Sequence, residues 1–273
     1  MLLSIIIVHF NQTKFLVSCL KSIKKAGLNF CFEVIVVDNH SKTSPFPEIK
    51  NIRFSHFKLI QNKKNLGLSK AVNQGIRISQ GKYILILNPD ILVHPNSIET
   101  LISFLEKNLR AGLVGPRLVY ANGKLQYSAR RYPSPLTLVL NRIFLGKTRW
   151  GKKKLDYYFL KDKDLTKPLP VHWVLGAALM VRRAAIEDVG PMNEKFFLYF
   201  EDVDWAYRFW QKGWEVWYLP QSKMTHFYQR LSARRPFFLN LFSRIFWIHL
   251  SSAFKFFLAG DSPLKEGAEN PHK

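Results

Sequence analysis

Residues 83–90, YILILNPD, decide how the chain folds. An uninterrupted apolar run of five residues indicates a strand buried on both faces, and the Asn-Pro-Asp that follows indicates a turn at its end. Two earlier segments have the same order: Ser4–Val8 leads to Asn11, and Glu33–Val37 leads to Asp38. Strands of this kind are typical of parallel sheets that helices cover on both faces.

Helix signals separate these strands. The segment from Thr13, the predicted cap, to Gly27, the predicted stop, has apolar residues at helical spacing. Another helix is predicted over Leu68–Ser79, a further one begins near Pro95, and a strand is predicted at Phe57–Ile60. The alternation predicts an α/β fold with a Rossmann-like, mostly parallel sheet, in which ligands bind beyond the carboxyl ends of the strands. The polar residues expected at that edge are Asn11, Asp38, Asn88 and Asp90.

The second half of the chain has weaker signals. Residues 120–170 are rich in Lys, Arg, Pro and aromatic residues and show little periodicity, which predicts an extended, partly mobile insertion. Beyond it, Asp202–Lys212 is predicted to be a helix, and Glu215–Leu219 is predicted to be the last strand, ending before Pro220.

Composition narrows the choice of partner. The chain has 273 residues, of which 47% are hydrophobic, enough for one large α/β core with a small appendage. Its net charge of +22 indicates a polyanionic partner: nucleic acid, an anionic membrane leaflet or a phosphorylated substrate. A solvated basic surface without a specific partner is the alternative.

Cysteine usage and the N-terminal residues indicate a cytoplasmic protein. Cys19 and Cys31 form no metal-spaced motif or disulfide framework, as expected in a reducing compartment. The first residues, MLLSIIIVHFN, lack the basic stretch and small-residue cleavage site of a signal peptide, and their apolar run is too short to span a bilayer.

The candidate catalytic and metal-binding residues are acidic side chains in an otherwise basic sequence. No GxGxxG, GxxxxGK[ST], HExxH or GxSxG motif occurs, so dinucleotide, P-loop, zincin and serine-hydrolase chemistries have no sequence support. Asp90, with Asn88 beside it, is placed to hold a hard divalent cation that also binds a diphosphate. An ordinary turn is the alternative interpretation of Asn-Pro-Asp.

A second acidic cluster consists of Glu201, Asp202 and Asp204 at a predicted helix start. Acids favour a helix N-terminus, and Glu201 or Asp202 can cap it. The preceding apolar run, residues 196–200, would also desolvate a carboxylate and raise its pKa, as suits a general base. Farther along the chain, His226 is either a metal ligand or an ordinary partly buried histidine.

The chain resembles glycosyltransferase family 2, and within it the bacterial rhamnosyltransferase-like members. The matching segments, in family order, are SIIIVHFN (4–11), EVIVVDNHS (33–41), NLGLSKAVNQGI (65–76), YILILNPDI (83–91), GPRLVYANGKLQYSARRYPSP (115–135), VLGAALMVRR (174–183), VGPMNEKFFLYFEDVDWAYRFWQKGWEVWYLP (189–220) and MTHF (224–227). The resemblance implies a GT-A fold over residues 1–228. Residues 1–118 would be the nucleotide-sugar-binding half and residues 119–228 the acceptor-binding half.

The resemblance also implies roles for single residues. Asp38 would hydrogen-bond the nucleotide base, and Asn88 and Asp90 stand at the family's DxD position. Asp202 matches the catalytic base, and His226 matches a histidine that assists at the metal and diphosphate. The other residues implied to lie along the nucleotide sugar are His9, Phe10, Asn11, Asn65 and Gly67.

The implied reaction is inverting transfer of a sugar, with rhamnose suggested by the resemblance alone. The donor would be a dTDP- or UDP-linked sugar held by Mg²⁺ or Mn²⁺, and the acceptor a glycan or lipid-linked hydroxyl in cell-surface polysaccharide synthesis. Glu201, Gly176 and Trp173 are expected on the acceptor side, although a core role for Trp173 is an equal alternative. Two departures stand out: NPD replaces DxD, so that the first metal ligand is neutral, and His40 stands where a small residue is usual.

The C-terminal part suggests contact with a membrane. Residues 229–260 are predicted to form an amphipathic helical segment at the inner face of the cytoplasmic membrane, preceded by arginines that favour anionic lipid, and residues 261–273 a disordered tail. A helix packed on the catalytic core, or in a dimer interface, is the alternative.

Two rival functions are a basic nucleic-acid-binding protein and a nucleotidyltransferase. The acids at the strand ends would repel phosphates if no metal were bound, so no nucleic-acid partner is expected. A nucleotidyltransferase would release pyrophosphate, whereas a glycosyltransferase of this type releases a nucleoside diphosphate.

Overall fold

A computed structural model describes residues 1–227 and 243–258. Within them, two sheets contain twelve strands: β1 Leu3–His9, β2 Phe32–Asp38, β3 Phe57–Gln61, β4 Tyr83–Leu87, β5 Ile91–Val93, β6 Ala111–Val119, β7 Leu125–Gln126, β8 Ala129–Arg130, β9 Leu169–Pro170, β10 Trp173–Val174, β11 Ala178–Arg182 and β12 Glu215–His226. The helices are α1 Thr13–Ala26, α2 Phe46–Ile49, α3 Leu68–Ile78, α4 Ser97–Lys107, α5 Pro135–Leu140, α6 Arg149–Tyr158, α7 Arg183–Val189, α8 Glu201–Gln211 and α9 Arg244–Leu258, with a 3₁₀ turn at Phe144–Lys147.

The main sheet runs in the order β3-β2-β1-β4-β11-β6-β12-β5, with β7 paired to β6 and β9 to β12. Strands β3, β2, β1 and β4 are parallel, and β11 is antiparallel to both of its neighbours. Beyond β11, β6 and β12 are again parallel, and β5 is antiparallel to β12. The predicted α/β fold with a mostly parallel sheet is confirmed.

The register of the parallel strands brings their carboxyl ends together. His9 of β1 lies opposite Asp38 of β2, and Ile7 lies opposite Leu87 of β4. The polar residues that follow these three strands therefore share one edge of the sheet, as the sequence predicts.

Apolar side chains of β1 alternate between two cores. Ile5 packs with Leu16 and other residues of α1 on one face, and Ile6 packs with Val72 and Ile76 of α3 on the other. Burying a side chain of this size contributes about 1.5–3 kcal/mol. The apolar cores on both faces of the sheet therefore fix the position of the sheet edge that carries the polar residues.

The boundaries of α1 and β12 differ from the expectation. Helix α1 stops at Gly27, which has a φ of 67°, as predicted, but Gln12 is its N-cap and Thr13 is only its first residue. Strand β12 continues through Pro220 because its pairing with β6 shifts register between Leu219 and Lys223. Such an irregularity accommodates proline, which cannot donate to the ladder.

The predicted extended insertion at residues 120–170 is instead folded. Ser134 and Thr137 form a capping box at the start of α5, and Arg131 makes two 2.7 Å hydrogen bonds to Asp162. The periodicity is weak because the helices and strands here are short.

Helix α9 packs one side against the core. Ser252, Ala253 and Phe256 are buried, and the Ser252 hydroxyl donates to the carbonyl of Leu198 at 2.9 Å. No helix in the described ranges is long and apolar enough to cross a bilayer. The predicted segment 229–260 is described only at 243–258, and the predicted tail, 261–273, lies outside the described residues.

Candidate active site

A cavity of about 550 Å³ opens at the carboxyl edge of the sheet; we call it the edge cavity. The residues that line it include Asn88, Asp90 and His226 as well as Gly176 and Asp202. The cavity therefore joins both halves predicted from the sequence.

Asp90 and His226 form a pair in the lining of the edge cavity. His226 ends β12, where it lies opposite Ile91 of β5, the residue after Asp90. The Nε2 atom of His226 is 3.3 Å from the Oδ1 atom of Asp90, and its Nδ1 atom is 2.9 Å from the Oε1 atom of Gln126. With the Gln126 amide in this orientation, Nδ1–H donates to it, and in neutral His226 the Nε2 lone pair then faces the carboxylate.

This pair fits a divalent cation. The Oδ1 atom of Asp90 is buried and accepts no hydrogen bond from the described residues. A carboxylate oxygen and an imidazole nitrogen that face each other are suitable metal ligands, and the amide of Gln126 orients the imidazole from behind. No cluster of three or more His, Cys, Asp or Glu side chains suited to a metal occurs in the part of the chain that the structure describes. Further ligands would come from Asn88, water or substrate oxygens.

Asp202 is held in place by backbone donors. The Gly176 N–H donates to its Oδ2 atom at 2.8 Å, and the Val203 N–H donates to its Oδ1 atom at 3.0 Å. Burial raises the pKa of Asp202, although these hydrogen bonds and the nearby positive charge of Arg130 lower it. The expectation of a desolvated carboxylate with a raised pKa is confirmed for this residue.

The other two acids of α8 have different surroundings. Burial, and then the charge of Asp202, raise the pKa of Glu201 well above its usual value. Asp204 instead pairs with Arg208 at 2.9 Å. Neither Glu201 nor Asp202 is the predicted cap, because Phe200 occupies the N-cap position with a φ of 68°.

Gly176 and Trp173 lie beside Asp202. A Cβ atom on Gly176 would be 3.1 Å from the Oδ2 atom of Asp202, so a glycine lets the backbone approach the carboxylate. Trp173 is only 4% exposed, and its Nε1–H donates to the carbonyl of Arg131 at 2.8 Å. Its ring both packs in the core and lines the edge cavity.

The residues predicted to bind the nucleotide sugar divide into two groups. Those that line the edge cavity are Phe10, Asn65, Gly67, Asn88 and Asp90. The remaining three, His9, Asp38 and Asn11, sit at the adjoining strand ends and do not line the cavity. His9 is fully buried, which lowers its pKa, and Asp38 is 3% exposed and accepts from the Ser41 N–H at 3.2 Å.

Asn39 holds the turn that contains Asn65 and Gly67. Its Nδ2 atom donates to Oδ1 of Asn65 at 3.0 Å and to the carbonyl of Gly67 at 3.2 Å. Its Oδ1 atom accepts from the Leu66 N–H at 3.0 Å. No role is predicted for Asn39 from the sequence, although its position directly after Asp38 at the end of β2 is a signal for one.

Arg130 and Gln126 are two further residues of the site that the sequence does not predict. The guanidinium of Arg130 lies 5.0 Å from the ring of Trp173 and lines the edge cavity near Asp202. Gln126 contacts a histidine 100 positions later in the chain. Both residues belong to residues 115–135, which resemble the family, but no local pattern indicates what they contact.

Residues 4–190 match the model of the family described as Glycosyl transferase family 2. The N-acetylglucosaminyl-diphospho-decaprenol L-rhamnosyltransferase of Mycobacterium tuberculosis is 29% identical over 214 residues, covering 74% of this chain and 69% of that protein. Rhamnosyltransferase WbbL of Escherichia coli is 25% identical over 187 residues, 68% of this chain and 65% of that protein.

Solved structures show the same fold. GalNAc-T7, solved with UDP, GalNAc and Mn²⁺, has a TM-score of 0.66 at 18% identity, over 84% of this chain and 44% of that one. The mannosyltransferase PcManGT of Pyrobaculum calidifontis, solved with GDP-Man and Mn²⁺, has a TM-score of 0.57 at 15% identity, over 85% of this chain and 58% of that one. This chain thus spans about half the length of these structures. The family match, the similarity to rhamnosyltransferases and the GT-A fold agree: the chain belongs to glycosyl transferase family 2, in which it is a rhamnosyltransferase-like glycosyltransferase.

Proposed function

We propose that this protein is an inverting glycosyltransferase that moves a sugar, rhamnose, from a nucleoside-diphosphate sugar to a hydroxyl of a glycan or lipid-linked acceptor. The observation that carries the proposal is the edge cavity, which joins the buried carboxylate of Asp202 to the facing pair of Asp90 and His226. A base and a diphosphate-binding site on one cavity are what a single displacement at an anomeric carbon requires.

Asp202 is the base in the proposed reaction. As the acceptor oxygen bonds to the anomeric carbon from the face opposite the leaving group, the Asp202 carboxylate takes the hydroxyl proton. The bond from that carbon to the diphosphate oxygen breaks, and the electron pair leaves with the nucleoside diphosphate. One displacement inverts the anomeric configuration.

Other residues bind and orient the two substrates. Phe10, Asn65 and Gly67 would lie along the nucleotide, while Asn88, Asp90 and His226 would hold the divalent cation, Mg²⁺ or Mn²⁺. When bound, this ion supplies Lewis-acid neutralisation of the diphosphate charge. Trp173, Gly176 and Glu201 form the acceptor side, where the main-chain N–H of Gly176 also orients the base.

The substrate classes draw support from the relatives' names. The M. tuberculosis relative is named for a diphospho-decaprenol acceptor and an L-rhamnosyl group, and GalNAc-T7 was solved with UDP. We therefore propose a dTDP- or UDP-linked donor and a lipid-linked acceptor in cell-surface polysaccharide synthesis. The enzyme would work as a peripheral protein at the inner face of the cytoplasmic membrane.

The first test is thermal stabilisation by a panel of nucleotides and nucleotide sugars, with and without Mn²⁺, in the wild type and in Asp90→Asn. A donor at a hundredfold excess over its dissociation constant should stabilise the wild type by about 2.7 kcal/mol, and the metal-dependent part should be lost in the variant. Analysis of the products should then find a nucleoside diphosphate. Release of pyrophosphate would identify a nucleotidyltransferase, and no stabilisation by any donor would reject the proposal.

A further inference from the structure

Large exposed apolar side chains are concentrated in two segments. In the described ranges, ten of the fifteen belong to residues 136–157 or 247–258. The first segment, α5 to α6, exposes Leu136, Val139, Phe144, Leu145, Trp150 and Tyr157. Clustering on this scale marks an interaction surface, since single exposed apolar residues are ordinarily scattered.

The second segment is helix α9, whose outward side exposes Trp247, Leu250, Phe254 and Leu258. Its other side is used up by packing on the core, where Phe256 is 3% exposed. The helix therefore has a buried inner side, and on its outer side these four apolar side chains lie beside the exposed polar residues Arg244, Ser251 and Lys255.

The two segments meet beside the edge cavity. The guanidinium of Arg142, just after α5, lies 5.8 Å from the centre of the Phe246 ring in α9. Leu138 and Arg142 from the first segment and His249 from the second all line the cavity. We call the exposed residues of 136–157 and 247–258 the mouth surface, because the same two segments also contribute side chains to the lining of the cavity.

The positive charge of the mouth surface indicates an anionic partner. Residues 136–157 contain six cationic residues and one acid, Asp156, which pairs with Lys161 at 2.6 Å, and α9 contains Arg244 and Lys255 and no acid. Exposed aromatic residues interleaved with Lys and Arg match an anionic lipid interface, which accepts the rings among its acyl chains and the cations among its headgroups. A second copy of this surface would bring like charges together, and nucleic acid would leave the aliphatic side chains in water.

We propose that the mouth surface docks this protein on an anionic bilayer, with the edge cavity opening toward the headgroups. Two elements distant in sequence, α5–α6 and α9, form the contact together. The docking itself depends only on the surface. Its use, delivery of a lipid-linked acceptor to Asp202, rests on the proposed function.

The test is cosedimentation of the full chain with vesicles of phosphatidylglycerol and phosphatidylcholine, compared with phosphatidylcholine alone. Two double variants remove exposed rings from one segment each: Phe144→Asp with Trp150→Asp, and Trp247→Asp with Phe254→Asp. The control is Leu109→Asp. Leu109 is 73% exposed and precedes β6 at the amino end of that strand, which is the sheet edge opposite the cavity.

The wild type and the control should bind the anionic vesicles, and each double variant should bind roughly tenfold more weakly. Higher salt should weaken binding of the wild type, since part of the attraction is electrostatic. Absence of binding by the wild type, or an equal loss in the control, would overturn the proposal. So would a wild-type dimer that either double variant converts to a monomer with vesicle binding unchanged, because the surface would then be an interface between copies.

Donor-induced thermal stabilisation, measured on the same samples, separates this proposal from the proposed function. Stabilisation without vesicle binding rejects the docking surface alone. Vesicle binding without stabilisation by any donor rejects the proposed function alone.

Discussion

The surroundings of Asp202 shift the pKa of its carboxyl group in opposite directions. Burial favours the neutral acid, whereas the N–H of Gly176 and the charge of Arg130 favour the carboxylate. The balance leaves the pKa of Asp202 raised, which makes it a stronger base than an exposed aspartate while its oxygens stay fixed toward the cavity.

Replacing Asp202 by Asn tests the base directly. The amide oxygen can still accept from Gly176, although its NH2 group cannot accept the hydrogen bond that the Val203 N–H donates to the other oxygen. The folded protein should therefore be somewhat less stable but still be stabilised by the donor, while kcat falls by about 10²–10⁴. Transfer assays alongside thermal shifts measure both properties. The matched control is Asp204→Asn, two residues along the same helix, where the acid pairs with Arg208. An equal loss of kcat in both variants would contradict the assignment.

Replacing Arg130 by Gln should change the pH dependence of the reaction. Without the guanidinium charge the pKa of Asp202 rises, so the acidic limb of the kcat/KM profile should move to higher pH. The loss of activity should therefore be largest at low pH. Arg131→Gln is the control, because that side chain binds Asp162 and should affect stability without moving the limb. A uniform loss at all pH values would indicate a role in binding instead.

At the scale of elements, the beginning of α8 is the most constrained part of the site. Tyr199 and Phe200 have φ values of 70° and 68°, which side chains other than glycine rarely adopt. The turn they make brings Glu201 and Asp202 into the first helical turn, where the helix dipole favours their negative charge. Dense packing around that turn nevertheless buries both carboxylates.

The buried Glu201 should make stability depend on pH. Its pKa is raised on folding, so the folded state binds more protons than the unfolded state above the unfolded value of about 4.3. Stability therefore falls as pH rises from there through the folded pKa. Glu201→Gln, which stays neutral, should melt at a higher temperature than the wild type near neutral pH, with the difference vanishing toward about pH 4. Melting curves of both proteins from about pH 4 to neutral pH measure this difference in melting temperature. A difference that does not change with pH would contradict the prediction.

The docking of α9 should depend on one ring. Phe256 is 3% exposed and lies 5.3 Å from the Phe200 ring, whereas Phe254 on the same helix is 65% exposed. Phe256→Ala should weaken the packing by about 3–5 kcal/mol, and Phe254→Ala should change it by less than about 0.5 kcal/mol. Hydrogen exchange of the α9 amides measures both effects, and similar exchange in the two variants would contradict the packing described above.

The whole molecule carries a net charge of +22, and most of its cationic side chains lie outside the candidate active site. This charge has two effects. The cationic side chains repel one another, which destabilises the folded state, and together they attract anionic partners. The basic and apolar residues of 136–157 are concentrated beside the cavity, where an anionic partner would lie close to the acceptor side.

Screening that repulsion should stabilise the folded protein. Raising NaCl from about 0.01 M to about 0.1 M shortens the Debye length from about 30 Å to about 10 Å, so the melting temperature should rise. Calorimetry or fluorescence melting measures the change, and sucrose at equal osmolality controls for osmotic effects. A melting temperature that falls with salt would show that ion pairs outweigh the net repulsion.

Local sequence determined much of the sheet and the start of α8. Tyr83–Leu87 forms a strand with the predicted bounds because a short, uninterrupted apolar run followed by a turn favours a strand buried on both faces, and the acids of α8 lie in its first turn as expected. The Asn-Pro-Asp after β4 reaches the predicted edge for the same reason. Each of these features depends on neighbours within a few residues along the chain.

Tertiary structure alone decided which distant residues meet. Gln126 orients His226 across 100 positions, Arg130 reaches Asp202 from a segment with no periodic pattern, and β12 continues past Pro220 only because its pairing with β6 shifts register. The mouth surface likewise exists only where α5 and α9 come together. Periodicity specifies which face of an element is buried, whereas the partner that covers that face depends on how all the elements pack at once.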